Sequence, residues 1–377
     1  MKTSAKLRTN PFLLILLVAA LIFAIVILSR PLPTSARNSP APNSQALTVN
    51  PIPILAYYYI WYDTSSWDRA KTDIPLLGTY SSDDLSVMRQ QIQEAKAAGI
   101  TGFIVSWKST DVLNRRLDQL ANLAAQENFK LVIIYQGLDF YRNPLPATQV
   151  ANDLDFFIQH YASKPAFQLF SKPLVIWSGT WKFSTQEIEQ VTMGRRSSLL
   201  ILASERNQDG YTHLANLVDG NAYYWSSVNP DTYPGYQDKL NQMSHLVHEN
   251  NGLWIAPAAP GFDARLIGGT SVVDRKDGAT FRTEINAAMA SSPDALGIIS
   301  WNEYSENSYI EPSKKYGNQY LNIISEINQT PSPNVIEFDS SIPNHIFPEV
   351  IPGSRLVALG GLAGLIVISF ALIILRK

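Results

Sequence analysis

Ile100-Thr101-Gly102-Phe103-Ile104-Val105-Ser106-Trp107 is a short run of mostly apolar residues that opens behind Gly99. A helical pattern over Asp111 to Gln126 follows it within four residues. A strand rich in β-branched and aromatic residues, then an amphipathic helix, is one βα unit. Its strand is apolar on both faces, as expected of a parallel strand covered by helices.

The same unit recurs in both directions along the chain. The spacing predicts further strands over Ile54 to Ile60, Leu131 to Tyr135, Pro173 to Trp177, Leu199 to Ala203, Asn221 to Trp225, Leu253 to Ala256 and Leu296 to Trp301. Helical patterns fall between them, over Asp84 to Ala98, Ala147 to Tyr161, Thr185 to Val191, Tyr211 to Leu217, Tyr236 to Glu249 and Thr280 to Ala290, with a last one over Lys315 to Ile327. Eight alternations imply an α/β fold, an eight-stranded parallel βα barrel of the TIM type. A doubly wound open sheet is the alternative. No GxGxxG or GxxxxGK[ST] follows a strand, so no nucleotide site is indicated.

The ends read differently. Phe12 to Leu28 is a run of 17 apolar residues behind Lys2, Lys6 and Arg8, and Leu356 to Leu375 is a run of 20 before Arg376-Lys377. Residues 1–30 are expected to be a transmembrane anchor or a signal segment, and 355–377 a C-terminal transmembrane helix. Residues 31–51 and the Pro-rich 329–354 read as linkers that bracket one domain, 52–328. The basic flanks place both termini in the cytoplasm, so the domain is expected outside the cell membrane.

Thirty Lys and Arg against 32 Asp and Glu give no basic surface for nucleic acid. The absence of cysteine excludes disulfides, thiolate metal sites and cysteine nucleophiles together. His245, His248 and Glu249 lack metalloprotease spacing and read as a solvated helix face, so neither a metal nor a cofactor is expected. Asp274-Arg275-Lys276-Asp277 reads as a solvated charge cluster. Ser204-Glu205-Arg206 reads equally as substrate-binding or as a helix cap.

Catalytic residues of a barrel sit at the C-terminal ends of its strands. Tyr59, Trp61, Trp107, Tyr135, Trp177, Trp225 and Trp301 fall there, which predicts an aromatic-lined cleft suited to a carbohydrate. The eighth strand runs into Glu303 and Glu306, a candidate acid–base pair. A non-catalytic carbohydrate-binding or envelope-assembly protein is the rival class, and it would tolerate loss of either carboxylate.

Ser300-Trp301-Asn302-Glu303-Tyr304-Ser305-Glu306, followed by Tyr309-Ile310-Glu311-Pro312, resembles the signature of glycoside hydrolase family 99. That family comprises endo-α-mannosidases and relatives on a βα barrel. Tyr57 to Tyr62, Gly78 to Asp83, Ala98 to Trp107 and Pro260 to Asp263 resemble its other conserved stretches in order and spacing. The resemblance implies Glu303 as a base on the substrate's 2-hydroxyl. It implies Glu306 as general acid and then as the base that activates water. Configuration is then retained through a 1,2-anhydro sugar. It also implies that Tyr59, Trp107 and Asp263 line the cleft. Trp61, Trp177, Trp225, Trp301, Asn302 and Tyr304 complete the expected substrate contacts. Tyr304 stands where the family has Trp, and Asn307 where it has Gly. After strand three, Tyr135-Gln136-Gly137-Leu138-Asp139 stands where a His and a Glu are frequent. The last motif also resembles domains of bacterial polysaccharide-assembly proteins. The expected partner is therefore an oligosaccharide or polysaccharide, an α-mannoside or a surface polymer.

Overall fold

A computed structural model describes residues 52–329. The expected segments 1–30, 31–51 and 355–377 lie outside the described residues, as does all but the first residue of 329–354. Among the described residues no helix is long and apolar enough to cross a membrane.

Among the described residues, the eight strands of one sheet alternate with eight α-helices. The first four units are β1 (Ile54–Tyr59), α1 (Leu85–Ala97), β2 (Gly102–Trp107), α2 (Asp111–Gln126), β3 (Lys130–Gln136), α3 (Ala147–His160), β4 (Leu174–Ser178) and α4 (Thr185–Thr192). The second four are β5 (Leu200–Leu202), α5 (Gln208–Thr212), β6 (Gly220–Ala222), α6 (Tyr236–Glu249), β7 (Leu253–Ala258), α7 (Ala279–Ala290), β8 (Ala295–Ile298) and α8 (Gln319–Gln329). All pairings in this sheet are parallel, and the spatial order is β5-β4-β3-β2-β1-β8-β7-β6. A parallel bridge between Ala203 and Asn221 joins the two outer strands. Ala203 N donates to Gly220 O and Ala222 N donates to Ala203 O, both at 2.9 Å. Strand order follows chain order around a closed ring, so the barrel replaces the open-sheet alternative.

Several element boundaries differ from the sequence expectation, among them α8, which begins at Gln319 rather than Lys315. The fifth helix begins at Gln208 rather than Tyr211, because the Asn207 side chain accepts from Gly210 N at 2.8 Å and caps it there. The sixth strand ends at Ala222, three residues short of Trp225. The eighth ends at Ile298, three residues short of Trp301. Beyond Ile298 the chain still donates to the neighbouring strands, from Ile299 N to Ala258 O at 2.8 Å and from Trp301 N to Tyr57 O at 2.7 Å.

The core has two layers. Between sheet and helices lie Tyr58, Phe103, Val105, Trp107, Ile133 and their neighbours. Inside the barrel lie Leu55, Tyr57, Tyr59, Ile104, Val132, Ile134, Ile176 and Ile255. The layers alternate residue by residue along each strand, as the pleat requires. Register fixes which residue faces in at the mouth. Tyr59 faces in and pairs with Ser106, and Gln136 pairs with Ser178. Their neighbours Trp107, Tyr135 and Trp177 therefore face the helices.

Trp107 is fully buried there, with Tyr135, Phe157 and Tyr161 around it and Nε1 donating to Asn114 Oδ1 at 2.9 Å. A Trp107→Phe variant loses that bond and some packing. It is expected to cost about 1–3 kcal/mol of stability, read as a lower midpoint in thermal unfolding. Substrate KM should stay within twofold. A large rise in KM at unchanged stability would place Trp107 in the cleft.

Candidate active site

The chain leaving β8 stays alongside β1 by a side-chain device. Trp301 N donates to Tyr57 O at 2.7 Å. The Asn302 amide then takes over: Tyr59 N donates to its Oδ1 at 2.8 Å, and its Nδ2 donates to Tyr59 O at 3.0 Å and Tyr80 Oη at 3.1 Å. Tyr62 Oη donates to Asn302 O at 2.6 Å. Asn302 was expected to touch substrate. Its side chain is instead buried and fully engaged, so it positions its neighbours rather than contacting a ligand.

Glu303 follows directly. Its N donates to Ser300 Oγ at 2.8 Å, and its Oε1 accepts from Ser305 N at 3.0 Å. Burial raises its pKa first, and the charge of Glu306 raises it further; the Ser305 bonds and the Lys71 ammonium pull the other way. Burial also raises Glu306, against an opposing pull from Arg142. Glu306 Oε2 is buried and has no hydrogen-bond partner among the described residues. The backbone of Glu306 is fixed from the loop after β7, where Asp263 N donates to Glu306 O at 2.8 Å.

Tyr59 and Tyr224 complete this pocket of charge. Their hydroxyls lie 2.5 Å apart, and both phenols are raised by burial and then by charges that include Glu303 and Glu306. Trp61 is 44% exposed and packs its ring 4.4 Å from that of Tyr59. Tyr59 thus lies between the ring of Trp61 and the charges of Glu303 and Glu306.

The remaining aromatic expectations are corrected. Trp107, Trp177 and Trp301 have no exposed surface and pack between sheet and helices, Trp177 against Phe183 and Trp301 against Phe103. Trp225 is half-buried and stacks on Tyr236 of α6 at 5.1 Å. Tyr304 is buried, stacked on Tyr309 at 4.1 Å with its edge to Trp67. The Asp263 carboxylate is taken by Arg265, whose Nε and guanidinium NH2 donate at 2.9 and 2.5 Å. Its contribution to the site is the backbone bond to Glu306. The residues that sequence reading missed are Tyr224, Lys71 and Arg142. Tyr224 was available from period two, since it shares the face of inward Ala222 while Trp225 does not.

Asn307 adopts a left-handed φ of 52°, which Asn tolerates better than most residues. Arg275, expected in a solvated cluster, is buried. One guanidinium nitrogen donates to Asn307 O at 2.9 Å and Tyr309 O at 2.8 Å, and the group lies 4.6 Å from the ring centres of Tyr309, Tyr316 and Tyr320. The adjacent Asp274 and Lys276 keep the exposed positions. In the Ser204-Glu205-Arg206 stretch, Ser204 and Glu205 are buried. Ser204 Oγ donates to Trp177 O at 2.9 Å and accepts from Gly179 N at 3.0 Å, which is a structural role. Among the described residues no three His, Asp or Glu side chains group as a metal site would.

A βα barrel that holds a buried and a half-buried carboxylate, interacting beyond the end of one strand, has the parts of a carboxylate-pair glycosidase. The model of glycosyl hydrolase family 99 matches residues 62–325, and the chain belongs to that family. Relatives include the glycoprotein endo-alpha-1,2-mannosidase of Rattus norvegicus, 22% identical over 282 residues, 67% of this chain and 60% of the relative. The glycoprotein endo-alpha-1,2-mannosidase-like protein of Homo sapiens is 24% identical over 289 residues, 68% of this chain and 61% of the relative. The chain thus spans about three fifths of the length of these curated relatives. A GH99 endo-alpha-mannosidase structure from Bacteroides thetaiotaomicron superposes with a TM-score of 0.65 at 22% identity, covering 72% of this chain and 95% of that one. At that identity the superposition shows a shared fold.

A third carboxylate lies behind the pair. Glu311 Oε1 accepts from Gln91 Nε2 at 2.5 Å and Oε2 from Tyr80 Oη at 3.1 Å, and burial pushes its pKa up to about 8. Glu303 is raised in the same direction. A carboxyl with a raised folded pKa binds its proton more tightly in the native state. Its stabilising effect is therefore present below the unfolded value and lost as pH climbs through the folded one. The thermal midpoint is expected to fall between about pH 5 and pH 9, and Glu311→Gln should shrink that fall. A variant with the same slope as the parent would remove Glu311 from the account.

Proposed function

We propose that the chain is a retaining glycosidase that cleaves α-mannosidic bonds within a larger glycan. The observation that carries this is the carboxylate pair: Glu303 and Glu306 are both raised by burial, Glu306 acts electrostatically on Glu303, and Glu306 has a buried oxygen with no partner among the described residues. Family membership supports the reading, as do the names of the mannosidase relatives.

In this scheme Glu303 takes the proton of the sugar's 2-hydroxyl. The freed oxygen closes on the anomeric carbon from the face opposite the leaving group, forming a 1,2-anhydro sugar. Glu306 gives its proton to the departing oxygen. In the second half Glu306 takes a proton from water, whose oxygen opens the anhydro ring at the anomeric carbon. Glu303 returns its proton to the 2-oxygen. Two inversions give net retention. Burial suits both roles, because an acid–base group works best with a pKa near the ambient pH. Lys71 and the Ser305 bonds favour ionised Glu303, but burial and the charge of Glu306 outweigh them and push its pKa up to about 8.

The location outside the membrane belongs to the same proposal, supported by the apolar runs and their basic flanks. Protease added to intact spheroplasts is expected to digest the central domain, and protection would reverse the topology.

Glu303→Gln and Glu306→Gln should each lower turnover by about 100- to 10,000-fold. Both variants should still fold and bind sugar. Substrates with a very good leaving group need little protonation, so they should partly rescue bond cleavage in Glu306→Gln and not in Glu303→Gln. A 2-deoxy substrate should fail with the parent, and the product should keep its configuration. Near-normal turnover in both variants would instead favour a carbohydrate-binding protein.

A further inference from the structure

Gln136 closes β3 at the barrel mouth. It shares the inward face of Val132 and Ile134, whereas Tyr135 turns to the helices. Ser106 of β2 follows inward Ile104 in the same way, and Ser178 of β4 follows inward Ile176. Strands β2, β3 and β4 are consecutive around the ring, and β1, β8, β7 and β6 form the other side. The mouth therefore has two unlike halves. One holds Glu303, Glu306, Tyr59 and Tyr224. The other presents Ser106, Gln136 and Ser178, none of which carries a charge. The first charged residues beyond β2 and β3 are Lys108 and Asp139, and the charge of Lys108 acts on Asp139.

An inward amide is a structural group when the protein uses both of its ends. Gln136 is half-buried and makes one side-chain hydrogen bond among the described residues, from Nε2 to Ser106 Oγ at 3.0 Å. The other end of the amide is left for the cleft. The group is nonetheless held, because Gln136 lies in the strand and pairs with Ser178. A Cβ on the next residue, Gly137, would lie 2.5 Å from Ser178 O and from Trp177 Nε1, so the backbone here is tight against the end of β4. Contacts also join this amide to the carboxylates. Its anchor Ser106 is the register partner of Tyr59. Asn302, the residue before Glu303, clamps the Tyr59 N–H and carbonyl at 2.8 and 3.0 Å. Two strand spacings, roughly 10 Å, separate β3 from β1. One sugar ring with its hydroxyls fills that gap.

We propose that Gln136 is a specificity-determining residue: its amide, steadied by Ser106, hydrogen-bonds a hydroxyl of the neutral sugar whose bond is cleaved. This assignment rests on the glycosidase reading above. An amide offers a donor and an acceptor, and a hydroxyl can meet either. The uncharged half of the mouth suits a neutral hexose and offers a uronic acid no opposite charge.

The test compares the full chain with a Gln136→Leu variant in detergent. The probes are α-mannobiosyl fluorides in which each free hydroxyl of the fluoride-bearing sugar, apart from the 2-hydroxyl, is replaced in turn by hydrogen. The parent is expected to lose roughly tenfold in kcat/KM on one of them, the worth of one hydrogen bond. Gln136→Leu should lose a similar factor on the complete sugar and nothing more on that deoxy sugar. Losses that multiply for every deoxy sugar overturn the proposal, because a purely structural amide leaves each sugar contact intact. A parent that loses nothing on any deoxy sugar overturns it too. Ser106→Ala keeps Gln136 and removes its anchor, so it should shrink the same deoxy penalty. If Gln136→Leu fails to fold, an unchanged penalty in Ser106→Ala overturns the proposal. A mannuronic acid counterpart cleaved as fast as the neutral fluoride overturns the sugar class. If the parent cleaves no fluoride, the glycosidase reading fails, and calorimetric titration with α-mannobiose and its deoxy forms decides. Affinity losses that do not multiply still support the Gln136 contact, whereas losses that multiply, or no binding by the parent, reject it.

Discussion

The side chain of Asn302 makes with the Tyr59 peptide the two hydrogen bonds that a continuing strand would have made. That substitution of side chain for backbone is what the mouth of the barrel depends on. It ends the ladder between β8 and β1 without leaving the Tyr59 N–H and carbonyl unpaired, which burial would penalise by about 1–3 kcal/mol each. It frees the main chain beyond residue 302 to turn, so that Glu303 lies buried beside Tyr59 rather than paired in a sheet. Tyr80 and Glu311 extend the same network to Gln91 on α1. A polar network this deep favours one arrangement because every broken member strands another.

The eight units were legible because the strands of a helix-covered parallel sheet are short apolar runs that helices separate at regular intervals. The carboxylate pair was legible because a barrel gathers at its mouth the residues next after each strand. The aromatic lining was mostly not. Trp107 and Trp177 stand at strand ends and Trp301 three residues past one, but the pleat sends alternate residues to opposite faces, and one position decides between cleft and core. Register settles it: Tyr59 pairs with Ser106, so the residue that shares its face is the serine. A ring at a strand end is thus evidence of a site only once its parity with a known inward residue is established. Tyr224 passes that test and Trp225 fails it.

Charge was legible only where it was exposed. Arg275 sits in a run of four charged residues, and a sequence cannot show that one of them turns under the loop while its neighbours stay in water. Its guanidinium is desolvated, but it donates to two loop carbonyls and lies near three tyrosine rings, which offsets much of that cost. The segment it holds runs from Asn307 to Tyr309, directly after Glu306. Asp263 fixes Glu306 from the other side through its backbone, while its carboxylate serves Arg265. Two residues with formal charge therefore act on the site chiefly as braces.

These braces bear on how two acidic groups can remain buried together. Each loses hydration, and the charge of one raises the other. A flexible loop would relieve that strain by turning a carboxylate outward. Here the loop between β8 and α8 is held at Asn302 by β1, at Glu306 by the loop after β7, and at Asn307 and Tyr309 by Arg275. With the backbone tied at those points, turning outward would break bonds made elsewhere, and proton uptake becomes the cheaper response. The same anchoring thus holds both carboxylates where burial raises their pKa values, the direction that brings an acid–base pair toward neutral pH.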